Sequence, residues 1–188
     1  MPHRNLDVQW QPISLLSKNE PPEGSEYRQG AEITHGQLRI MESVRAAAAS
    51  PEAANHDIHR LYWAFGTQIN HEQDFLADPA DVLAKLGLDV THASAATDEA
   101  WDTEIRTRMD DGLSLVGDDV GTPIIALTRS DGQRVGYFGP VITEIPRGDA
   151  ALRLWDGLMA MFETDGFFEL KKTRTSAPDP GDPPGPIA

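Results

Sequence analysis

The chain has 188 residues, of which 39% are hydrophobic and 24% charged, a balance typical of a globular protein. Thirty acidic residues against 16 Lys and Arg give a net charge of −14, which argues against a nucleic-acid partner. The sequence contains no cysteine, so disulfides, thiolate metal sites and a cysteine nucleophile are excluded for this chain. No apolar run approaches the roughly 20 residues that span a bilayer, and the N-terminus has no apolar signal core. These features predict a cytoplasmic protein with no membrane partner.

The first half of the sequence has mainly helical periodicity. Residues 5–16 are the exception, because Leu6, Val8 and Trp10 alternate with polar residues as in a strand. The composition of residues 17–26 predicts a loop. Helices are then expected over 29–49, 51 to about 70, 78–87 (ended by Gly87) and about 98–114.

The hydrophobic period changes after this helical region. Residues 123–128 predict a buried strand, Asp131-Gly132 a hairpin turn, and residues 134–142 the return strand. A last helix is predicted over about 149–163, and the proline-rich tail 176–188 is predicted to be disordered. A hairpin and one distant strand do not make a good sheet, which indicates that a partner strand is missing.

Several stretches of sequence resemble one family. They are DDVGTPIIAL, YFGPVITEIPRG, LWDGLMAMF and FFELKKTRT near the C-terminus, with WQPISLLSKNE and EYRQG at the front. Together they resemble the DsbA-like proteins of the actinobacterial mycothiol-dependent nitroreductase type over residues 5–175. The resemblance implies an α/β, thioredoxin-like fold with an inserted helical domain. Residues 5–16 and 119–175 would form the thioredoxin-like part, 28–118 the insertion, and 176–188 a tail outside both.

The resemblance also implies that part of the family's fold is absent. In the family, a first strand and a Cys-Pro-Trp-Cys helix precede the segment at which this chain begins. A gene truncation and a mis-assigned start codon would both give such a sequence. The family's activity is mycothiol-linked thiol–disulfide exchange, which needs a thiolate, so the chain as written is expected to be inactive in it. Because the first strand would be central, its loss predicts a marginal chain that aggregates or recruits a strand from another copy. Since some members of the family form dimers, the resemblance also makes a homodimer an expectation.

Four residues are predicted to form a substrate site on the basis of the resemblance. In the family, the proline matching Pro123 is cis, and the residue matching Thr122 offers its backbone to a bound thiol or peptide. The alternative is an ordinary proline that opens a strand. Asn19 and Tyr27 match positions that face the redox site, although a turn asparagine and a packed tyrosine are equally compatible with the sequence. The expected ligand is a thiol or small molecule, and the resemblance implies mycothiol as the thiol co-substrate of the full-length family. No bound cofactor and no catalytic residue are predicted.

Other chemistries receive less support from the sequence. His56 and His59 share a helix face, but no third ligand can be named, so no metal site is predicted. Ser, His and Asp are all present without a Gly-x-Ser-x-Gly elbow, which argues against a hydrolase. Two functions therefore stay open, a truncated oxidoreductase and a non-catalytic thioredoxin-like binding protein, and whether the chain is an enzyme is undecided. A third interpretation, a helical binder with a vestigial sheet, is disfavoured by the intact hairpin periodicity.

Overall fold

The computed structural model describes residues 4–182, which fall into two compact units. The helical unit comprises residues 8–109, and the sheet unit comprises residues 4–7 and 110–182. The helices, in chain order, are α1 (Leu15–Asn19), α2 (Glu26–Ala47), α3 (Pro51–Thr67) with a π-helical turn (Gln68–Glu72), α4 (Pro79–Lys85), two 3₁₀ turns (Val90–Thr97 and Glu99–Trp101), and α5 (Asp102–Leu113). They are followed by strands β1 (Ile124–Thr128) and β2 (Arg134–Phe138) and by α6 (Gly148–Phe162). This helix-rich arrangement with a small sheet is compatible with the predicted α/β class.

Side-chain caps set the beginnings of the long helices. Ser25 accepts a hydrogen bond from the Arg28 amide, so α2 begins three residues earlier than its periodicity predicts. Ser50 caps α3, which starts with Pro51 at its first position as predicted. Gly87, at φ +69°, follows the end of α4 in the left-handed conformation that glycine adopts readily. The four predicted helices are therefore confirmed, with boundaries that move by a few residues.

The core of the helical unit lies where α2, α3 and α4 meet. Ile40, Leu61 and Leu83, one from each helix, are completely buried. Six further buried residues complete this cluster: Met41, Val44, Ile58, Phe65, Val82 and Ala95. Burial of aliphatic side chains on this scale is the main stabilising term of a small domain.

The strand predicted over 5–16 is wrong, since no residue of this stretch belongs to a strand. The Asn55 side chain takes the place of a neighbouring strand: its amide oxygen accepts from the Trp10 amide at 2.9 Å, and its NH2 group donates to Val8 O at 2.7 Å. Arg45 adds a 2.9 Å hydrogen bond to Trp10 O. The half-buried Trp10 ring packs on His59 and Tyr62 of α3, so here the alternating pattern marks a shielded side chain and not a strand in a sheet. The predicted loop over 17–26 is likewise too long, because α1 extends to Asn19.

The sheet unit contains one antiparallel hairpin, as predicted. Ile124 is opposite Phe138, and Thr128 is opposite Arg134. The return strand ends at Phe138 rather than at residue 142, because Gly139 has φ +103° and Pro140 has no N–H to donate. Helix α6 agrees with its prediction to within one residue at each end.

The two faces of the hairpin contact different segments of the sheet unit. On one face, the Tyr137 ring meets Phe162 of α6 edge-on at 4.8 Å, and its hydroxyl donates to Phe167 O at 2.6 Å. On the other face, Gly136 lies so close to Leu115 that a Cβ at position 136 would be 2.8 Å from the Leu115 Cβ. Gly136 is therefore required for this approach.

The first described residues of the proline-rich tail contact a loop of the sheet unit. The Ser176 hydroxyl donates to Thr143 Oγ1 at 3.3 Å, and the Asp179 amide donates to Thr143 O at 2.8 Å. The remainder of the predicted disordered tail, residues 183–188, lies outside the described residues.

Candidate functional site

Thr122 and Pro123 lie at the entrance to β1. The peptide bond between them is cis, as the family resemblance implied. Pro123 O accepts a hydrogen bond from the Gly139 amide at 2.8 Å, which continues the hairpin ladder by one pair. Both residues are exposed, so the backbone of this turn is open to a ligand.

A second cis peptide, Gly139-Pro140, lies across the hairpin from the first. No sequence pattern predicted it. At the same end, a Cβ at Gly121 would lie 3.2 Å from the Phe138 ring, so the ring rests against the segment that leads into Thr122. Phe138 is 43% exposed and gives this end of the hairpin an apolar surface beside the exposed turn.

Asn19 and Tyr27, the other two predicted site residues, are in contact with each other. Asn19 ends α1, and its side-chain NH2 group donates to the Tyr27 hydroxyl at 2.6 Å. Tyr27 belongs to the first turn of α2 and is 51% exposed. Arg28 holds the connecting segment through a 3.0 Å hydrogen bond to Pro21 O. The pair is therefore pre-arranged at the surface of the helical unit, with Asn19 at the end of a helix and not in the predicted loop.

The four predicted residues thus form two pairs. Asn19 and Tyr27 belong to the helical unit, whereas Thr122 and Pro123 belong to the sheet unit. Each pair is exposed at least in part and is supported by hydrogen bonds within its own unit.

A buried Ser–His–Asp chain, which no spacing in the sequence predicted, lies inside the helical unit. The Ser14 hydroxyl is 2.8 Å from His35 Nδ1, and His35 Nε2 is 3.0 Å from Asp102 Oδ1. Arg39 donates to both oxygens of Asp102, at 2.6 and 2.7 Å. Because the carboxylate only accepts, the hydrogen bond between His35 Nε2 and Asp102 requires a proton on Nε2.

This chain of hydrogen bonds has a structural role. Ser14 is 1% exposed and His35 4% exposed, so a substrate cannot reach the hydroxyl. The Ser14 oxygen is also occupied as the N-cap of α1, where it accepts the Ser17 amide. Hydrogen bonding from Arg39 lowers the pKa of Asp102, against the opposing effect of its partial burial, and His35 lowers it further. The arrangement ties the starts of α1 and α5 to α2, and the sequence argument against a hydrolase agrees with it.

An aromatic cluster occupies the surface where residues 8–12 pack on α3. The Trp10 ring stacks on His59 and on Tyr62, in both cases with 5.1 Å between centroids. The Trp63 indole N–H donates to His59 Nε2, which removes that nitrogen as a metal ligand. Burial, with a smaller contribution from His56, lowers the pKa of His59 and so favours its neutral form. Over residues 4–182, no group of three His, Cys, Asp or Glu side chains is arranged to hold a metal ion.

A comparison with models of protein families identifies relatives of this chain. The model of the Rv2466c-like family, described as mycothiol-dependent nitroreductase Rv2466c, matches residues 2–172. The chain belongs to this family. The resemblance expected from the sequence is confirmed, and with it the oxidoreductase character of the relatives. Within residues 4–182, none of the helices combines the length and the apolarity that a bilayer span requires.

Proposed function

We propose that the chain is a DsbA-like, thioredoxin-fold member of this family that binds a thiol or a small molecule but does not carry out thiol–disulfide exchange. The observation that carries the proposal is the complete lack of cysteine in a member of a mycothiol-dependent family. Exchange proceeds when a thiolate attacks a disulfide sulfur, forms a new S–S bond and expels the other thiolate. This chain has no sulfur that could attack or leave in that step, so its residues do not fit thiol–disulfide exchange with mycothiol.

In this proposal, residues 5–16 and 119–175 are the thioredoxin-like part, and residues 28–118 are the inserted helical domain. The hairpin followed by a helix supports this assignment. The Cys-Pro-Trp-Cys helix is the element in which the relatives would hold their thiols.

Each unit would contribute its own binding surface, formed by its pair of site residues. The exposed Thr122 backbone has an N–H that can donate to an extended ligand and a carbonyl that can accept from it, whereas Pro123 has no N–H and its carbonyl accepts from Gly139. The Asn19–Tyr27 pair presents a phenol ring whose hydroxyl is already oriented by the amide, so little side-chain entropy is lost when a ligand contacts it. The second candidate is an interaction protein that binds another protein, and not a thiol or small molecule, through the same surfaces. The exposed apolar ring of Phe138 favours it.

A two-part experiment tests the proposal. The 188-residue chain is assayed for mycothiol-dependent reduction of a disulfide and of a nitro compound, and it is titrated with mycothiol while amide NMR shifts are followed. The expected rates equal those without protein, and the expected shifts map to Asn19, Tyr27 and Thr122. Tyr27→Phe is expected to weaken binding several-fold, because it removes the hydroxyl that Asn19 orients.

Tyr62→Phe is the matched control, since Tyr62 has the same 51% exposure as Tyr27 and lies on α3. Turnover above the protein-free rate would overturn the claim of inactivity. An absence of shifts at these residues, at mycothiol concentrations that saturate a weak site, would overturn the claim that the chain binds this thiol.

A further inference from the structure

The outer edge of β1 has no hydrogen-bonding partner among the described residues. At the two ends of the hairpin, the Arg129 amide donates to Gln133 O and the Gly139 amide donates to Pro123 O, both at 2.8 Å. Antiparallel pairs alternate, so the odd-numbered residues of β1 bond to β2. The N–H and C=O groups of Ile124, Ala126 and Thr128 therefore point to the opposite edge, and none of them has a hydrogen bond there within residues 4–182.

This edge has none of the features by which proteins protect edge strands. Such strands are usually blocked by charged side chains, prolines, bulges or a covering segment. The outward-facing residues of β1 are uncharged and can all donate an N–H, and the register of the hairpin is regular throughout. Ala126 and Thr128 are exposed, so the edge is accessible along most of its length.

The set of outward-facing groups is complementary to itself. Reversing the strand about Ala126 exchanges Ile124 with Thr128 and leaves each donor facing an acceptor. A two-fold axis through Ala126 therefore closes the pairing between identical surfaces, which is the usual geometry of a homodimer. An unrelated strand would need its own matching edge, whereas a second copy of this chain supplies it by symmetry.

We propose that two copies of this chain pair antiparallel through β1, with Ala126 opposite Ala126 of the second copy, to form one continuous four-stranded sheet in the order β2-β1-β1-β2. The inference does not depend on the proposed thiol binding. Among residues 4–182, it assigns a partner to the one sheet edge that is both uncharged and open. Because each copy carries a net charge of −14, the two copies repel each other, and added salt is expected to strengthen the dimer.

A charge exchange at the symmetry axis tests this pairing. Sedimentation velocity is measured on the full chain over a wide concentration range, at 0.3 M salt, for the wild type, Ala126→Lys, Ala126→Glu and an equal mixture of the two variants. The wild type is expected to dimerise, and each variant alone to associate at least tenfold more weakly, because like charges then lie directly opposite one another. The mixture is expected to recover a dimer that contains one copy of each variant.

The control is Gln133→Lys, which makes the same charge change at an exposed turn position outside β1. It should dimerise like the wild type. Since Ala126→Lys lowers the net negative charge, weaker association of this variant cannot come from general repulsion. Circular dichroism checks folding, and Thr128→Lys, at another exposed position of the same edge, replaces Ala126→Lys if that variant fails to fold.

Three results would overturn the proposal. The first is a wild-type chain that stays monomeric at all concentrations. This result would count against the dimer whether the β1 edge is unpaired, is covered by the chain itself or binds another protein. The second is an Ala126→Lys variant as dimeric as the wild type. The third is a mixture of the two charged variants that recovers no dimer.

Discussion

The two units of the molecule differ most in how well their apolar residues are buried. Of the fifteen buried hydrophobic residues among the described ones, thirteen belong to the helical unit. The sheet unit contributes Leu113 and Phe162 only. It does not lack apolar residues, because Phe168 and Leu170 are more than 80% exposed, and Ile145 is 53% exposed.

The helical unit therefore has a complete hydrophobic core, whereas the sheet unit leaves large apolar side chains exposed. A two-stranded hairpin is marginally stable in water unless a further strand or a well-packed helix covers it. The open edge of β1 and the exposed apolar residues have the same cause, because the hairpin has too few neighbouring segments to cover it. We therefore expect substitutions in the helical unit to be costly through lost packing, and substitutions in the sheet unit to act mainly through local fit and association.

The largest effect is expected from Leu61→Ala. Leu61 is completely buried in the core of the helical unit, so truncation should lower the free energy of unfolding by about 2–5 kcal/mol in urea denaturation. Leu127→Ala, in the half-buried β1, should cost about 1 kcal/mol, since less apolar area is lost. Leu76→Ala is the exposed control, with an expected change within about 0.5 kcal/mol. Equal costs at Leu61 and Leu127 would contradict the contrast between the units.

A pair of glycines in the sheet unit provides the next test. Gly136→Ala places a Cβ against Leu115, and the clash should destabilise the hairpin by about 1–3 kcal/mol. Gly157→Ala, within α6, meets no atom within 4 Å and should stabilise the helix by about 0.5–1 kcal/mol. The urea dependence of the hairpin and α6 amide signals in NMR measures both. A neutral Gly136→Ala would show that this face of the hairpin is loosely packed.

Removing the Asn55 amide tests what replaces the predicted strand. Asn55→Ala leaves Trp10 N and Val8 O without their hydrogen bonds and should cost about 1–3 kcal/mol. Asn70→Ala, which removes an exposed hydrogen bond to Gly66 O, should cost a few tenths of a kcal/mol at most. Urea denaturation compares the two variants. Similar costs would mean that residues 8–10 are held by the Trp10 ring and not by Asn55.

The smallest expected effect is a dependence on acid pH. The lowered pKa of Asp102 means that its ionised form stabilises the folded state. This contribution is present above the ordinary aspartate pKa of 3.8 and is lost as the pH falls through the lower folded value. Because the Asp102 side chain is partly exposed, solvent screens its ion pair with Arg39 and keeps this contribution small. Asp102→Asn should therefore flatten the loss of stability as the pH falls below 3.8, and identical slopes for variant and wild type would contradict this.

The sequence was most informative where local signals and periodicity agree. The helix from Ser50-Pro51 and the hairpin with Asp131-Gly132 at its turn each combine a local signal with a clear period. The two elements were predicted correctly. Alternation alone misled at residues 5–16, because it reports a buried face without saying whether a strand or helices cover it. The Asn19–Tyr27 contact and the Ser14–His35–Asp102 chain are tertiary, joining residues from different elements, so no local pattern could have predicted their geometry.

Amide hydrogen exchange resolved by residue tests the contrast between the units most directly. The account predicts that the Ile40 and Leu61 amides exchange slowest, and that the Ile125 and Leu127 amides exchange roughly tenfold or more faster through local opening. It also predicts that the Ala126 amide becomes protected as the protein concentration rises. Hairpin amides as protected as Ile40 and Leu61 at every concentration would show that the sheet unit is complete in the isolated chain, and would contradict the account.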